Sequence, residues 1–178
     1  MAVMEQPINK SGQAELVITR KFNAPKEMIF KSFSEVDRLE KWWGPKGSKL
    51  KVTKIDFRPG GMFLYSMEYE GKVMWGRFVY DQILRPYSIE FINSFSDEKG
   101  NITRAPFSQV WPLEIFNLWT LAENEGVTTL TLRGYPVNAS NEEIKTFIDF
   151  QPSMQQGFAG TFDQLEEYLD QIYLHTVL

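Results

Sequence analysis

The sequence predicts an α+β fold in which a curved antiparallel meander packs against a long C-terminal helix. Three observations predict it. From Ser48 to Arg133 apolar residues recur mostly at every second position, in runs parted by turn signals at Pro59-Gly60-Gly61, Glu70-Gly71-Lys72, Arg85-Pro86 and Asn124-Glu125-Gly126. After Pro152 the period lengthens, and Phe158, Phe162, Leu165, Leu169 and Ile172 step by four, three, four and three, which is one stripe of a helix. Ahead of both lie one alternating run and two short helical patterns.

In chain order, residues 1–14 are polar, carry the breaker Ser11-Gly12, and read as a flexible tail before a single domain over 15–178. Glu15 to Phe22 alternates as a first strand. In "NAPKEMIFKSF" Asn23 is placed to cap a helix, with Pro25 in its first turn where a missing donor is harmless. A second short helix runs through Val36, Leu39 and Trp43, which share a stripe at 100° per residue while Trp42 falls to its flank, and Gly44-Pro45 ends it. Six strands follow, in "SKLKVTKIDF", "MFLYSMEYE", "VMWGRFVYDQI", "YSIEFINSF", "LEIFNLWTLAE" and "VTTLTLR". The connection from Phe95 to Pro112 is long enough to act as a lid. Ser140 then precedes Glu143 at capping-box spacing, opening a helix to about Phe150, and Pro152 starts the last one.

Composition narrows the function. The 178 residues are 43% hydrophobic and 24% charged, the profile of one ordinary soluble domain, and no run approaches the ~20 apolar residues of a membrane span. Cysteine is absent, which removes thiolate chemistry and disulfides and favours a cytoplasmic location. The one histidine, His175, lies at the end of the chain and reads as a surface residue. No metal site, cofactor or catalytic residue is assigned: there is no G-x-S-x-G, and the Gly pair of "RPGG" lacks the lysine and following helix of a phosphate loop. A net charge of −4 argues against nucleic acid. The charge is uneven, however, with Lys41, Lys46, Lys49, Lys51, Lys54 and Arg58 facing only Asp56, a strip that fits an acidic protein partner. Glu68 and Glu70 share one strand side beside the Gly71 turn and read as solvated acids, whereas Glu114 is expected to pair with Arg77 or Arg104.

The motifs "WWGP" at Trp42–Pro45, "RPGG" at Arg58–Gly61, "TRAP" at Thr103–Pro106, "WPLE" at Trp111–Glu114 and "GFAGTFDQLEEYL" at Gly157–Leu169 stand in an order that resembles a known family. It is the START-like (SRPBCC) family related to the C-terminal domain of the activator of the ninety-kilodalton heat-shock chaperone's ATPase. The resemblance spans about Glu15 to Asp170. It implies a helix-grip fold, a curved sheet wrapped around the C-terminal helix with a cavity between them, and binding of a lipid, polyketide or flavonoid-like molecule. Chaperone-ATPase activation as an interaction module and polyketide cyclase or dehydratase activity are the alternatives it carries. Where the family often has Trp and His, this chain has Phe158 and Ala105, and the second change removes an imidazole that acid-base chemistry would use.

Aromatic residues make up 15% of the chain. Trp43, Trp75, Phe91 and Trp119 on the second helix and central strands, with Phe158 and Phe162 on the last helix, are the expected walls of the ligand site. That expectation requires a hollow that admits a small organic molecule. Gly157 lies beside the helix stripe, where it could make room for ligand or backbone; Gly160 points away, and the sequence offers no reason for it.

Overall fold

The computed structural model describes residues 15–176, with side chains described as far as Tyr173. The expected tail at 1–14 and the side chain of His175 lie outside the described residues. Elements run β1 (Leu16–Phe22), α1 (Lys26–Ser34), α2 (Val36–Trp42), β2 (Lys49–Ile55), β3 (Met62–Tyr69), β4 (Lys72–Leu84), β5 (Ser88–Ser96), β6 (Glu114–Asn124), β7 (Val127–Val137), α3 (Asn141–Asp149) and α4 (Gln151–Thr176). The seven strands form one antiparallel sheet in the order β1-β7-β6-β5-β4-β3-β2. Six strands are therefore laid down as a meander, and β1 closes the far edge against β7, as the period-two runs predict.

Alternation assigns each strand an inner face toward the helices. It holds Phe63 and Tyr65 on β3, Phe78 and Tyr80 on β4, Phe91 on β5, Trp119 and Leu121 on β6, and Leu130 and Leu132 on β7, all buried. The C-terminal helix is fastened to one side of this face. Arg20 on β1 pairs with Asp163 and Glu166 of α4, both at 2.7 Å. From α4, Thr161 Oγ1 and Gln164 Nε2 donate to the carbonyl of Gly44, at 3.1 and 2.6 Å. Gly44 has φ of 106°, which selects glycine at this joint, and a Cβ there would also push on the flexible Met67 side chain, whose sulfur would lie 2.8 Å away.

Helix ends differ from the sequence expectation. Pro25, not Asn23, occupies the N-cap of α1, and no side chain caps it. The capping box of α3 forms as predicted: Ser140 Oγ accepts from the Glu143 backbone N–H at 3.2 Å, and the Glu143 carboxylate accepts from Ser140 N–H at 2.9 Å. The same carboxylate takes Arg104, and these bonds, the Arg104 one first, hold it below the ordinary glutamate range. Arg104 is thus not the partner of Glu114. Arg77 donates to the Gly100 carbonyl at 2.7 Å, and Glu114 forms no ion pair among the described residues.

Neither Gly157 nor Gly160 has any atom of another element within 4 Å of where a Cβ would stand, so no backbone approach explains them. Replacing either with alanine is expected to stabilise the fold by about 1 kcal/mol through helix propensity alone. A urea midpoint that stays put or falls in both variants would refute this.

The lysines of the basic strip line an edge. β2 ends the sheet, and Lys49, Lys51 and Lys54 on it are exposed, as are Lys41 and Lys46 ahead of it, while Arg58 is engaged by Asp56 at 2.9 Å. Charges there deter pairing of the free edge with another strand.

Candidate functional site

Two tryptophans and a glycine at the end of α2 set the inner site. The helix stops at Trp42, and Trp43 takes extended angles, φ −70° and ψ 132°. The 100° projection therefore does not reach Trp43, and the residue assigned to the flank is the more deeply buried one. Trp42 is 1% exposed, its indole N–H donates to the Ser32 carbonyl at 2.9 Å, and its ring lies on Phe162. Trp43 is half-buried and sits amid Tyr65, Phe78, Trp119 and Phe158, with ring centroids 5.7 to 6.5 Å away.

Five of the six expected wall residues come together. Besides the Trp43 contacts, Phe91 meets Trp119 at 5.5 Å, Trp119 meets Phe162 at 6.3 Å, and Phe158 stacks on Phe162 at 5.7 Å. Trp75 does not join them. Its β4 neighbours Gly76 and Phe78 face the helices, so alternation sends Trp75 to the outer face, level with Ser66 of β3 and Ser96 of β5. Phe78, Tyr65, Tyr80 and Phe33 supply the rings that sequence reasoning missed. Phe78 and Tyr80 could have been found, because they share one phase of β4 and Trp75 occupies the other.

Gly76 has a specific task. A Cβ there would lie 2.6 Å from the Tyr65 hydroxyl oxygen, so the bare backbone lets the Tyr65 ring lie across β4. Burial pushes the Tyr65 hydroxyl up to about 12, offset in part by the nearby Trp43 indole. Burial, with Tyr65 adding to it, raises Tyr80 as well. Both phenols are therefore neutral at ordinary pH. The Trp43 N–H nevertheless falls short of hydrogen-bond geometry, and it and the Trp119 N–H are sealed from solvent without an acceptor. On the same inner face Asn117 Nδ2 donates to Asn93 Oδ1 at 2.8 Å and to the Ile115 carbonyl at 3.1 Å.

The space inside is small. Between Trp43, Trp119, Phe91 and Tyr80 a hollow of about 20 Å³ is left, room for roughly one water molecule. The enclosed chamber expected from sequence is thus filled by its own rings. A larger space lies where no residue of α4 lines it: a cleft of about 590 Å³ between the β3–β4 hairpin, at Tyr69, Glu70, Lys72, Val73 and Met74, and the turn at Pro106 and Phe107. Tyr69, Val73 and Phe107 are 43, 56 and 53% exposed there. Tyr65, Met67 and Tyr69 follow one another on the inner face of β3, and only Tyr69 reaches the cleft; hollow and cleft share no lining residue.

The Phe95–Pro112 segment is pinned rather than free. Asp97 accepts from the backbone of Lys99 and Asn101, Gly100 packs over Met62 and Leu64, Trp111 and Ala105 are buried, and Phe107 rests on Phe95, Trp111 and Phe150. Only its tip at Phe107 borders the cleft. Among the described residues no group of three or more His, Cys, Asp or Glu could hold a metal ion, and no helix is long and apolar enough to cross a membrane.

Comparison with known proteins agrees with this architecture. The model of the Activator of Hsp90 ATPase homolog 1-like protein family matches residues 23–170. A Mycobacterium smegmatis protein of known crystal structure is 29% identical, with 87% of this chain and 90% of that one aligned at a TM-score of 0.72. A Staphylococcus epidermidis protein solved by NMR is 24% identical over 89% of this chain and 91% of that one, again with a TM-score of 0.72. The AHSA1 protein from Silicibacter pomeroyi, 19% identical over 89% and 99%, superposes with a TM-score of 0.66. Among curated proteins, none matches the chain.

Proposed function

We propose, from the fact that this chain belongs to the Activator of Hsp90 ATPase homolog 1-like family, whose members typically bind hydrophobic ligands, that it binds one small apolar or amphipathic molecule at the open end of its grip. The cleft between the β3–β4 hairpin and Phe107 carries this reading. Its volume of about 590 Å³ lies in the ordinary range for small-molecule sites, and its apolar rim is exposed to solvent at a cost that a ligand removes. Trp43, Phe91, Trp119, Phe158 and Phe162 lie deeper and do not line this cleft; the half-buried pair Trp43 and Phe158 are the rings to be displaced if such a molecule goes further in.

The uncharged fluorescent probe N-phenyl-1-naphthylamine tests the reading. It should gain emission with one site per chain. Val73→Asp, at an exposed position, and Phe107→Asp, compared at a temperature where circular dichroism shows it folded because Phe107 also rests on Phe95, Trp111 and Phe150, should each weaken it about tenfold by placing a charge on the apolar rim. A probe that gains no emission, or that binds both variants as it binds the native chain, overturns the proposal. Docking of an acidic partner on Lys41 to Arg58 is a second reading, supported by the exposure of the lysines along β2. Edge protection already accounts for them, and the cleft is the stronger basis.

A further inference from the structure

The side of the sheet turned away from the helices carries a pattern of its own. Rings of α1 and α4 pack on the inner face, as Phe33 and Phe162 do on Trp119. Register lays the outer face out in rows. Val79 of β4 stands opposite Ile92 of β5, Ile92 opposite Phe116 of β6, and Phe116 opposite Tyr135 of β7. All four are half-buried, and the Phe116 and Tyr135 rings meet at 5.1 Å. Directly opposed side chains are neighbours, so these form one unbroken apolar row across four strands. Met62 of β3 continues it opposite Val79, but Gly100 packs over that methionine and closes the row there. Single apolar side chains on a surface are ordinary, whereas a contiguous set marks a place of contact.

Charges border the row on both sides, and along β4 and β5 they are sorted by sign. Two residues before Val79 stands Arg77, opposite Ser94. It donates to the Gly100 carbonyl at 2.7 Å and has no carboxylate partner among the described residues. Across the row lie two acids side by side. Asp81 is exposed in the bulge that follows Tyr80, and Glu90 lies between Phe91 and Ile89 on β5, opposite that bulge. Neither has an ion pair among the described residues. Adjacent like charges with no cation between them are unfavourable. On β6 and β7 the order of signs reverses: Glu114 stands on the Arg77 side of the row, and Arg133, held by Glu15, on the side of the acids.

A second copy of the same face complements this arrangement. A two-fold axis laid along the row sets each strand over the same strand of the other copy, so Val79, Ile92 and Phe116 meet themselves. Arg77 of each copy then comes over Asp81 and Glu90 of the other, and Glu114 comes beside Arg133. An axis along β5 would instead set Glu90 on Glu90, so the charges select the first. Sheets stacked face to face lie about 10 Å apart, close enough for an arginine to reach a facing carboxylate. The outer side of a curved sheet is convex, which confines the contact to the middle strands β4 to β6 and makes it a small interface, one that separates on dilution.

We propose that two copies of this chain associate through the outer face of the sheet, stacked on Val79, Ile92 and Phe116 and bridged from Arg77 to Asp81 and Glu90. None of these residues lines the hollow or the cleft, so the inference stands or falls apart from ligand binding.

Sedimentation velocity of the full chain, loaded from about 1 to 500 µM, tests it. The native chain should pass from monomer to dimer within that range. Asp81→Arg, at an exposed position, sets cation against cation and should weaken the dimer about tenfold or more, as should Arg77→Glu. The two changes combined should associate about threefold or more tighter than either alone, because the facing charges are exchanged rather than removed. Ile92→Asp, at the centre of the row, should abolish the dimer. Circular dichroism checks that each variant is folded. Should Arg77→Glu or Ile92→Asp not fold, Asp81→Arg decides alone. A native chain that stays monomeric to the highest loading overturns the inference, and so does a dimer that Asp81→Arg leaves unchanged.

Discussion

Trp42→Ala is expected to lower the stability of the fold by about 3–5 kcal/mol, the range for removing a large buried ring. The residue is 1% exposed and touches the rings of Phe33, Trp43 and Phe162 at centroid distances of 5.4, 5.5 and 6.5 Å. It also does a second job that follows from helix geometry. The last four carbonyls of any helix lack an intrahelical donor, and Ser32 lies in the last turn of α1, so the indole N–H of Trp42 satisfies a carbonyl that would otherwise be left bare inside the core. Trp42→Phe keeps most of the packing and loses that bond, and should fall between the native chain and the alanine variant. Chemical denaturation gives the ordering directly. An alanine variant within about 1 kcal/mol of native would contradict the central place given to this ring.

Gly61→Ala should destabilise more than Gly60→Ala although the two glycines are adjacent. A Cβ at Gly61 would stand 1.9 Å from the Asp56 carbonyl oxygen and 3.0 Å from that of Arg58, both backbone atoms that cannot swing away. The turn is tied on both sides, Gly61 N–H to the Arg58 carbonyl at 2.8 Å and Tyr80 N–H to the Gly61 carbonyl at 3.0 Å, so relief means breaking the link between this turn and β4. We expect a loss of about 3 kcal/mol, the upper range for overpacking. At Gly60 nothing lies within 4 Å, and only its φ of 79° penalises a side chain, for about 1–2 kcal/mol. Equal losses, or the reverse order, would show that the Asp56 contact is not what selects glycine.

Period and punctuation made the order of strands and helices legible, because a face that must be buried repeats with the geometry of its element. The inner site was legible only in part. Trp43 was aimed by a helical projection that stops one residue short of it, and a single step at a helix end turns a side chain through a large angle. Trp75 does lie on a central strand, as expected of a wall residue, but on β4 it is out of phase with Phe78 and Tyr80. The filling of the interior could not be read at all: a list of rings gives their number and approximate face, but whether they border a chamber or close it depends on packing among Tyr65, Gly76, Phe78 and Trp119, residues far apart in the chain. Glu114 shows the same limit, since of its two expected cations Arg104 is taken by Glu143, on a helix the local sequence does not see, and Arg77 by the Gly100 carbonyl.

The two bonds that α4 sends to the Gly44 carbonyl, together with Arg20 gripping Asp163 and Glu166, clamp the rod at its middle. A guest that needs more volume therefore has no means of lifting the rod away on that side. If the proposed guest binds, the way in is therefore expected at the β3–β4 hairpin, whose cleft α4 does not line, and not at the far border where β1 meets β7.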